Sequence, residues 1–288
     1  MKRCYDRFRL KKFTALVALS VAVFTGSPAS SEAQGNTADQ LAGKLVITGA
    51  STLAPLIAEI GKRFESLHPT VRVNVQSGGS SRGVADARQG LADIGMVSRA
   101  MKEDERDLSA FPVARDGVCP ILHQENPVQA LTDEQIVAIY TGKITNWKGV
   151  GGTDAPITVV NKAEGRSTLE VFLQYFKLKN AEIKAQVVIG DNEQGVKTVA
   201  GNRNAIGYVS IGTAEYDATH GVFIKLLPVG GVAASTESVR KGAFPLSRPL
   251  HIVTRTAPSG LTKAFIEYAQ SKAVHDLIRE QYFVPLAN

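Results

Sequence analysis

The chain has 288 residues, 44% of them hydrophobic and 21% charged, enough for one large domain or two moderate lobes with cores of their own. It carries 33 Lys and Arg against 27 Asp and Glu, a net charge of +6, but six of those bases and two of those acids fall within residues 1–33, so the remainder carries +2. That near-neutral balance gives no support to a nucleic-acid partner.

The first residues read as a targeting segment. Lys2, Arg3, Arg7, Arg9, Lys11 and Lys12 form a basic start, Leu16 to Phe24 an apolar run, and Ala29 or Ala33 offers a small residue for cleavage. The run is too short to span a membrane, and no later stretch approaches that length. An export signal over residues 1–33 and a flexible leader over 34–43 are therefore predicted. Of the two cysteines, Cys4 lies in the signal and Cys119 in an apolar stretch, so the exported chain has no intramolecular disulfide. A bacterial periplasm and a monomer stabilised by its core alone are expected.

Lys44 to Thr48 reads as a strand and runs through Gly49-Ala50-Ser51-Thr52 into a helix with Leu53, Leu56, Ile57, Ile60 and Phe64 at helical spacing, ending near His68-Pro69. Thr70 to Val75 alternates as a strand. It leads through Ser77-Gly78-Gly79-Ser80-Ser81-Arg82-Gly83 into the short helix Val84–Arg88. Asp93 to Val97 is a third strand, with Ser98 and Arg99, both candidate anion contacts, at its carboxyl end. A turn over Asp104–Leu108 and a strand over Gly117–Leu122 follow, the latter near the crossing into a second lobe. Thr132 caps a helix, with Gln135 three residues on and Ile136, Ile139 and Tyr140 inward. The loop from Thr141 to Gly152 holds Trp147, read as its anchor.

Ile157 to Asn161 is a strand that passes through Lys162-Ala163-Glu164-Gly165-Arg166-Ser167-Thr168 into a helix with Leu169, Phe172 and Phe176. Strands are predicted at 186–189, 222–227 and 249–254, a buried apolar stretch at 205–209, a loop over most of 228–243, and helices at 261–268 and 273–282. Strands alternating with helices imply an α/β sheet, with ligand sites outside the carboxyl ends of the strands.

Three junctions therefore share one chemistry: Ser51/Thr52, Ser80/Ser81 and Ser167/Thr168 each stand near glycine and each open a helix. A single such turn is commonly no more than a helix cap, contributing about 1 kcal/mol. Three together, with Arg82, Lys162 and Arg166 nearby, suit an oxyanion held by directed donors and helix amino ends. Two other chemistries fit less well. Gly79-Ser80-Ser81-Arg82-Gly83 matches a nucleophile elbow, with Ser81 as the attacking group and His220, His251 or His275 as base, but no segment supplies an oxyanion hole. The five histidines have no ligand-pair spacing, so neither a metal nor any other cofactor is expected.

The segments Ile47–Pro55, Ser77–Gly83 and Ala92–Arg99, followed by Asp116-Gly117-Val118, Ile139–Trp147, Ala205–Ser210 and Phe244–Leu250, resemble in the same order the periplasmic phosphate-binding proteins of ABC transporters. The resemblance runs from Lys44 to the carboxyl terminus. It implies an α/β, two-lobed periplasmic binding protein of the type II, Venus-flytrap kind, with a hinge of two crossing strands. Lobe one is expected at 44–117 and 248–288, and lobe two at 118–247. It further implies inorganic phosphate as ligand, a membrane permease as partner, and Ser51, Thr52, Ser80, Ser167 and Thr168 at phosphate-contacting positions. Ser98 stands where some members carry an aspartate that accepts the phosphate's proton, so Asp93 or Asp116 is left as a substitute acceptor. Lys162 stands where an arginine is usual, which makes Arg166 a candidate for the cationic contact. Related oxyanions (sulfate, molybdate, tungstate) and a sensing or scavenging role remain the alternatives.

Overall fold

In the computed structural model, residues 41–286 are described; the signal segment and most of the leader lie outside them. The first lobe opens with β1 (Gly43–Gly49), α1 (Ala54–Leu67), β2 (Val71–Ser77), α2 (Ser80–Gln89) and β3 (Ile94–Val97). In α1, Pro55 sits in the first turn, where its missing N–H costs nothing. One face of α1, Leu56, Ile57, Ile60 and Phe64, is buried, each such side chain contributing roughly 1.5–3 kcal/mol. The helix stops at His68, because the residue before Pro69 is pushed out of helical geometry.

The long strand β4 (Ser109–His123) then carries the chain across. The second lobe holds α3 (Asp133–Tyr140), β5 (Thr158–Lys162), α4 (Ser167–Phe176), β6 (Val187–Ile189), α5 (Asn192–Ala200), β7 (Ala205–Ser210), α6 (Ile211–Thr219), β8 (Ile224–Leu226) and α7 (Thr236–Arg240). β9 (Ser247–Thr254) returns the chain, and α8 (Gly260–Ala269), α9 (His275–Glu280) and β10 (Val284–Pro285) complete it. Among the described residues no helix is long and apolar enough to cross a membrane.

The sheet runs β2-β1-β3-β9-β4-β7-β5-β6, with β8 and β10 paired to β4. β1 lies parallel to β2 and β3, and β5 lies parallel to β6 and β7. Between these parallel wings stand the antiparallel strands β9 and β4. The front of β4, Ser109 to Gly117, pairs with β9, and its back, Val118 to Leu122, pairs with β7. One apolar core gathers Leu45, Ile47, Leu56, Ile60, Phe64, Leu250, Ile252 and Phe265. A second gathers Ile121, Ile136, Tyr140, Trp147, Phe172, Val199 and Tyr208. β4 contributes Val113 and Ala114 to the first and Val118, Cys119, Ile121 and Leu122 to the second, so it and β9 are the link between the lobes.

Several elements differ from the sequence reading. β4 begins eight residues earlier than predicted, since Ser109 to Asp116 is drawn into the sheet by β9. α5 and α6 are helices where none was predicted, and the loop over 228–243 contains the short α7. The Thr132–Gln135 capping box is present, with both reciprocal bonds at 3.2 and 2.9 Å. Trp147 is buried and donates from Nε1 to the Asn204 carbonyl at 3.0 Å, pinning its loop to the second lobe. Burial pushes the Cys119 thiol well up, leaving an inert core residue.

Candidate functional site

The carboxyl ends of β1, β2 and β3 are tied to one another before any ligand is considered. The Gly49 carbonyl accepts from the N–H groups of Gly78 and Gly79 at 2.8 and 2.9 Å, and Ala50 N–H donates to the Met96 carbonyl at 2.9 Å. Ser98 N–H donates to Ser80 Oγ at 3.1 Å. Gly79 holds φ +98°, and a Cβ there would meet the Gly165 carbonyl oxygen at 2.6 Å. Only glycine allows the α2 start to come this close to the β5–α4 turn of the other lobe. Ser81 N–H donates to the same Gly165 carbonyl at 3.3 Å.

The crevice between these turns is lined by Ala50, Ser51, Thr52, Gly79, Ser80 and Ser98 from one lobe and by Lys162, Arg166, Ser167, Thr168 and Gly190 from the other. About 200 Å³ there is not filled by protein atoms, part of it open to solvent. Ser167 Oγ lies against Ser80 Oγ and bonds Ser98 Oγ at 2.9 Å, so hydroxyls of both lobes meet there. The amino ends of α2 and α4 both open into it and bring their positive ends to one point.

Behind the hydroxyls stands Arg248, opposite Asp116 in the β9–β4 ladder. Both side chains are only 1% exposed, with Nη2 2.8 Å and Nε 3.1 Å from Asp116 Oδ2. The guanidinium also donates from Nη1 to Thr168 Oγ1 at 3.0 Å and from Nη2 to Thr52 Oγ1 at 3.2 Å. Asn192 Nδ2 donates to Thr52 Oγ1 as well, at 3.1 Å. A threonine oxygen that accepts bonds from behind has its own O–H left to donate forward. Arg248 and Asn192 thus turn two ambivalent hydroxyls into donors.

Lys162 is 2% exposed and donates from Nζ to Asn192 Oδ1 at 2.9 Å. Burial is the main cause that brings its ammonium down to about 7, and the nearby Arg248 and Arg166 guanidiniums act in the same direction while Asp191 opposes them. No carboxylate is among the residues lining the crevice.

The structure brings Ser51, Thr52, Ser80, Ser98, Lys162, Arg166, Ser167 and Thr168 together and leaves three sequence candidates outside. Ser81 is exposed, its Oγ 3.3 Å from Glu170 Oε1, and no histidine is among its hydrogen-bond partners. Arg82 turns along the surface to Asp86 at 3.0 Å and Gln76 at 3.1 Å. Arg99 is buried but spent on Glu105, at 2.7 Å through both nitrogens, and on Glu170, at 2.7 Å. Neither substitute acceptor lines the crevice. Asp116 is committed to Arg248 and to the Gly212 N–H at 3.2 Å, and exposed Asp93 accepts from Val46 N–H at 2.7 Å. Sequence reasoning missed Arg248 and Asn192; the first lay in the quoted Phe244–Leu250 segment, and the second had no signal.

A family model described as the PBP superfamily domain matches residues 30–273. The phosphate-binding protein PstS of Bacillus subtilis is 28% identical over 256 residues, 87% of this chain and 83% of that protein. A solved structure from Clostridium perfringens, described as a phosphate ABC transporter substrate-binding protein with bound phosphate, is 32% identical and superposes with a TM-score of 0.78 over 85% of this chain and 100% of that one. An ABC-type phosphate transport receptor from Vibrio cholerae is 30% identical with a TM-score of 0.70, over 84% of this chain and 100% of that one.

Proposed function

The chain belongs to the PBP superfamily, and we propose that within it this protein captures inorganic phosphate in the crevice between its lobes and hands it to an ABC permease. The observation that carries the reading is the arrangement behind Thr52 and Thr168, where Arg248 fills the acceptor side of two hydroxyls from opposite lobes and leaves both facing forward as donors. Ser51, Ser80, Ser98 and Ser167 add hydroxyl donors, the backbone at the α2 and α4 starts adds N–H groups, and Lys162 and Arg166 supply charge. The relatives with phosphate in their names and the phosphate-bound structure support the choice of anion.

Lobe one is taken as 44–117 with 248–288 and lobe two as 118–247, hinged where β4 and β9 cross. The two separate apolar cores support that division. Because donors come from both lobes, phosphate binds the closed arrangement more tightly than an open one, which is the condition for it to drive closure. The basic and apolar start of the sequence supports export to the periplasm with residues 1–33 removed. The role needs no covalent step.

Calorimetry on the chain from residue 34 tests the reading. Phosphate binds at micromolar level or tighter, and Ser80→Ala with Thr168→Ala abolishes the signal, since each lost bond to a charged ligand costs roughly 1.5–3 kcal/mol. No heat with phosphate, alongside tight binding of sulfate, molybdate or tungstate, overturns the choice of ligand.

A further inference from the structure

Resting on the reading of the crevice as a phosphate site, the surroundings of Lys162 carry a second conclusion about how that site handles protons. Lys162 Nζ is sealed from solvent, and its hydrogen-bond partner is a neutral amide, Asn192 Oδ1. Among the described residues it has no salt-bridge partner. The charged groups on the packed elements leave it that way. Arg166, at the start of α4, and Arg248, on β9, are both cations. Asp116, on β4, is taken by Arg248. On α5 the Asp191 carboxylate caps the helix through Gln194 N–H at 2.8 Å, and Glu193 is exposed.

An ammonium so placed has lost its hydration, which favours the neutral amine, and so do the Arg248 and Arg166 guanidiniums; the Asp191 and Glu193 carboxylates oppose them from a distance without pairing with it. The ammonium brought down to about 7 agrees with that geometry. A dianion entering the crevice reverses the balance, because it supplies the missing counterion at the same spot.

We propose that Lys162 is the proton-coupled contact of the crevice: buried beside a neutral amide with no ion-pair partner, its side chain takes up one proton from solvent as a dianionic oxyanion enters. The only bond made in this step is N–H on Nζ, its electron pair being the amine lone pair and its proton coming from water or buffer. The consequence is specificity for charge. The site rewards a dianion with a cation formed on demand, and its affinity falls as pH rises.

The test is a proton inventory. Phosphate is titrated calorimetrically into the exported chain at pH 8 in two buffers of different ionisation enthalpy, and the Lys162→Arg variant, which keeps the charge and cannot titrate, is treated identically. Any protonation of phosphate itself is common to both proteins. The wild type is expected to take up close to one more proton than Lys162→Arg at pH 8, with the difference vanishing by pH 6. Above pH 7 its affinity should fall relative to the variant by about tenfold per pH unit. Equal proton uptake at pH 8 overturns the proposal.

A ligand-free measurement separates this from the choice of anion. A lysine whose folded value is depressed binds its proton in the unfolded chain first, so wild-type stability to urea should climb relative to Lys162→Met between pH 7 and pH 9. Parallel curves overturn the proposal whether or not phosphate binds. Absence of phosphate heat in both proteins overturns only the functional reading.

Discussion

Two buried cations serve the same crevice and are treated in opposite ways. Arg248 has every part of its fork engaged, on Asp116, Thr52 and Thr168, and its charge is cancelled within the ladder that joins the lobes. Lys162 has one neutral partner and no carboxylate. The pair shows how a site can be strongly electropositive toward a guest and still fold. The charge that must always be present is compensated structurally, and the charge that matters only on binding is left to titrate. Arginine suits the first task because it stays protonated and presents a planar set of donors, and lysine the second because it can shed its proton.

The difference is broken most severely by removing the compensation. In Asp116→Ala the Arg248 guanidinium keeps only two neutral hydroxyls, so stability to urea should fall by about 3–5 kcal/mol, the cost of an orphaned buried charge. Because the same guanidinium organises Thr52 and Thr168, phosphate affinity should fall with it. A stability loss under about 1 kcal/mol would mean that the pair is reached by water and that Arg248 resembles an exposed ion more than a structural one.

How far this arrangement could be read from the chain depends on whether a feature is local. The three strand–glycine–hydroxyl–helix junctions were legible because each is written in consecutive residues, and the structure brings Thr52, Ser80, Ser167 and Thr168 to one crevice. Arg248 was not, since its partner lies 132 residues away and the two meet only through the antiparallel register of β4 and β9. Asn192 was hidden with its helix. α5 carries Gly195 where a Cβ would come within 2.8 Å of Ile189 and 2.9 Å of Val209, so a glycine demanded by packing erased the helical signal. Ser81 and Arg82 illustrate the opposite error. Consecutive residues on a helix diverge by about 100°, so when Ser80 turns into the crevice its two successors face away from it.

A third charged group sharpens the contrast from outside the crevice. Glu170, three residues after Ser167 on α4, reaches Arg99 at 2.7 Å, Lys102 at 2.8 Å and Ser81 Oγ at 3.3 Å, all from the opposite lobe. It touches neither the crevice lining nor the hinge, so it acts on closure alone. Glu170→Gln keeps the shape and the serine bond and removes the ion pairs. With its side chain about one-quarter exposed, the loss should be near 1 kcal/mol, seen in stopped-flow as about fivefold faster phosphate release. Unchanged release would show that those pairs hold no part of the closed state.

The smallest effect is expected at Arg82, one of the three cations that sequence proximity brought into the candidate site. Its guanidinium is nearly half exposed and runs back along its own lobe to Asp86 and Gln76, so it neither lines the crevice nor crosses to the other lobe. Screening by solvent and salt leaves such a charge little influence at a distance. Arg82→Ala should therefore change phosphate affinity by less than about twofold at physiological ionic strength. A tenfold loss would bring Arg82 into the crevice on closure and make three cations, rather than Lys162 and Arg166 alone, the counter-charge that the anion meets.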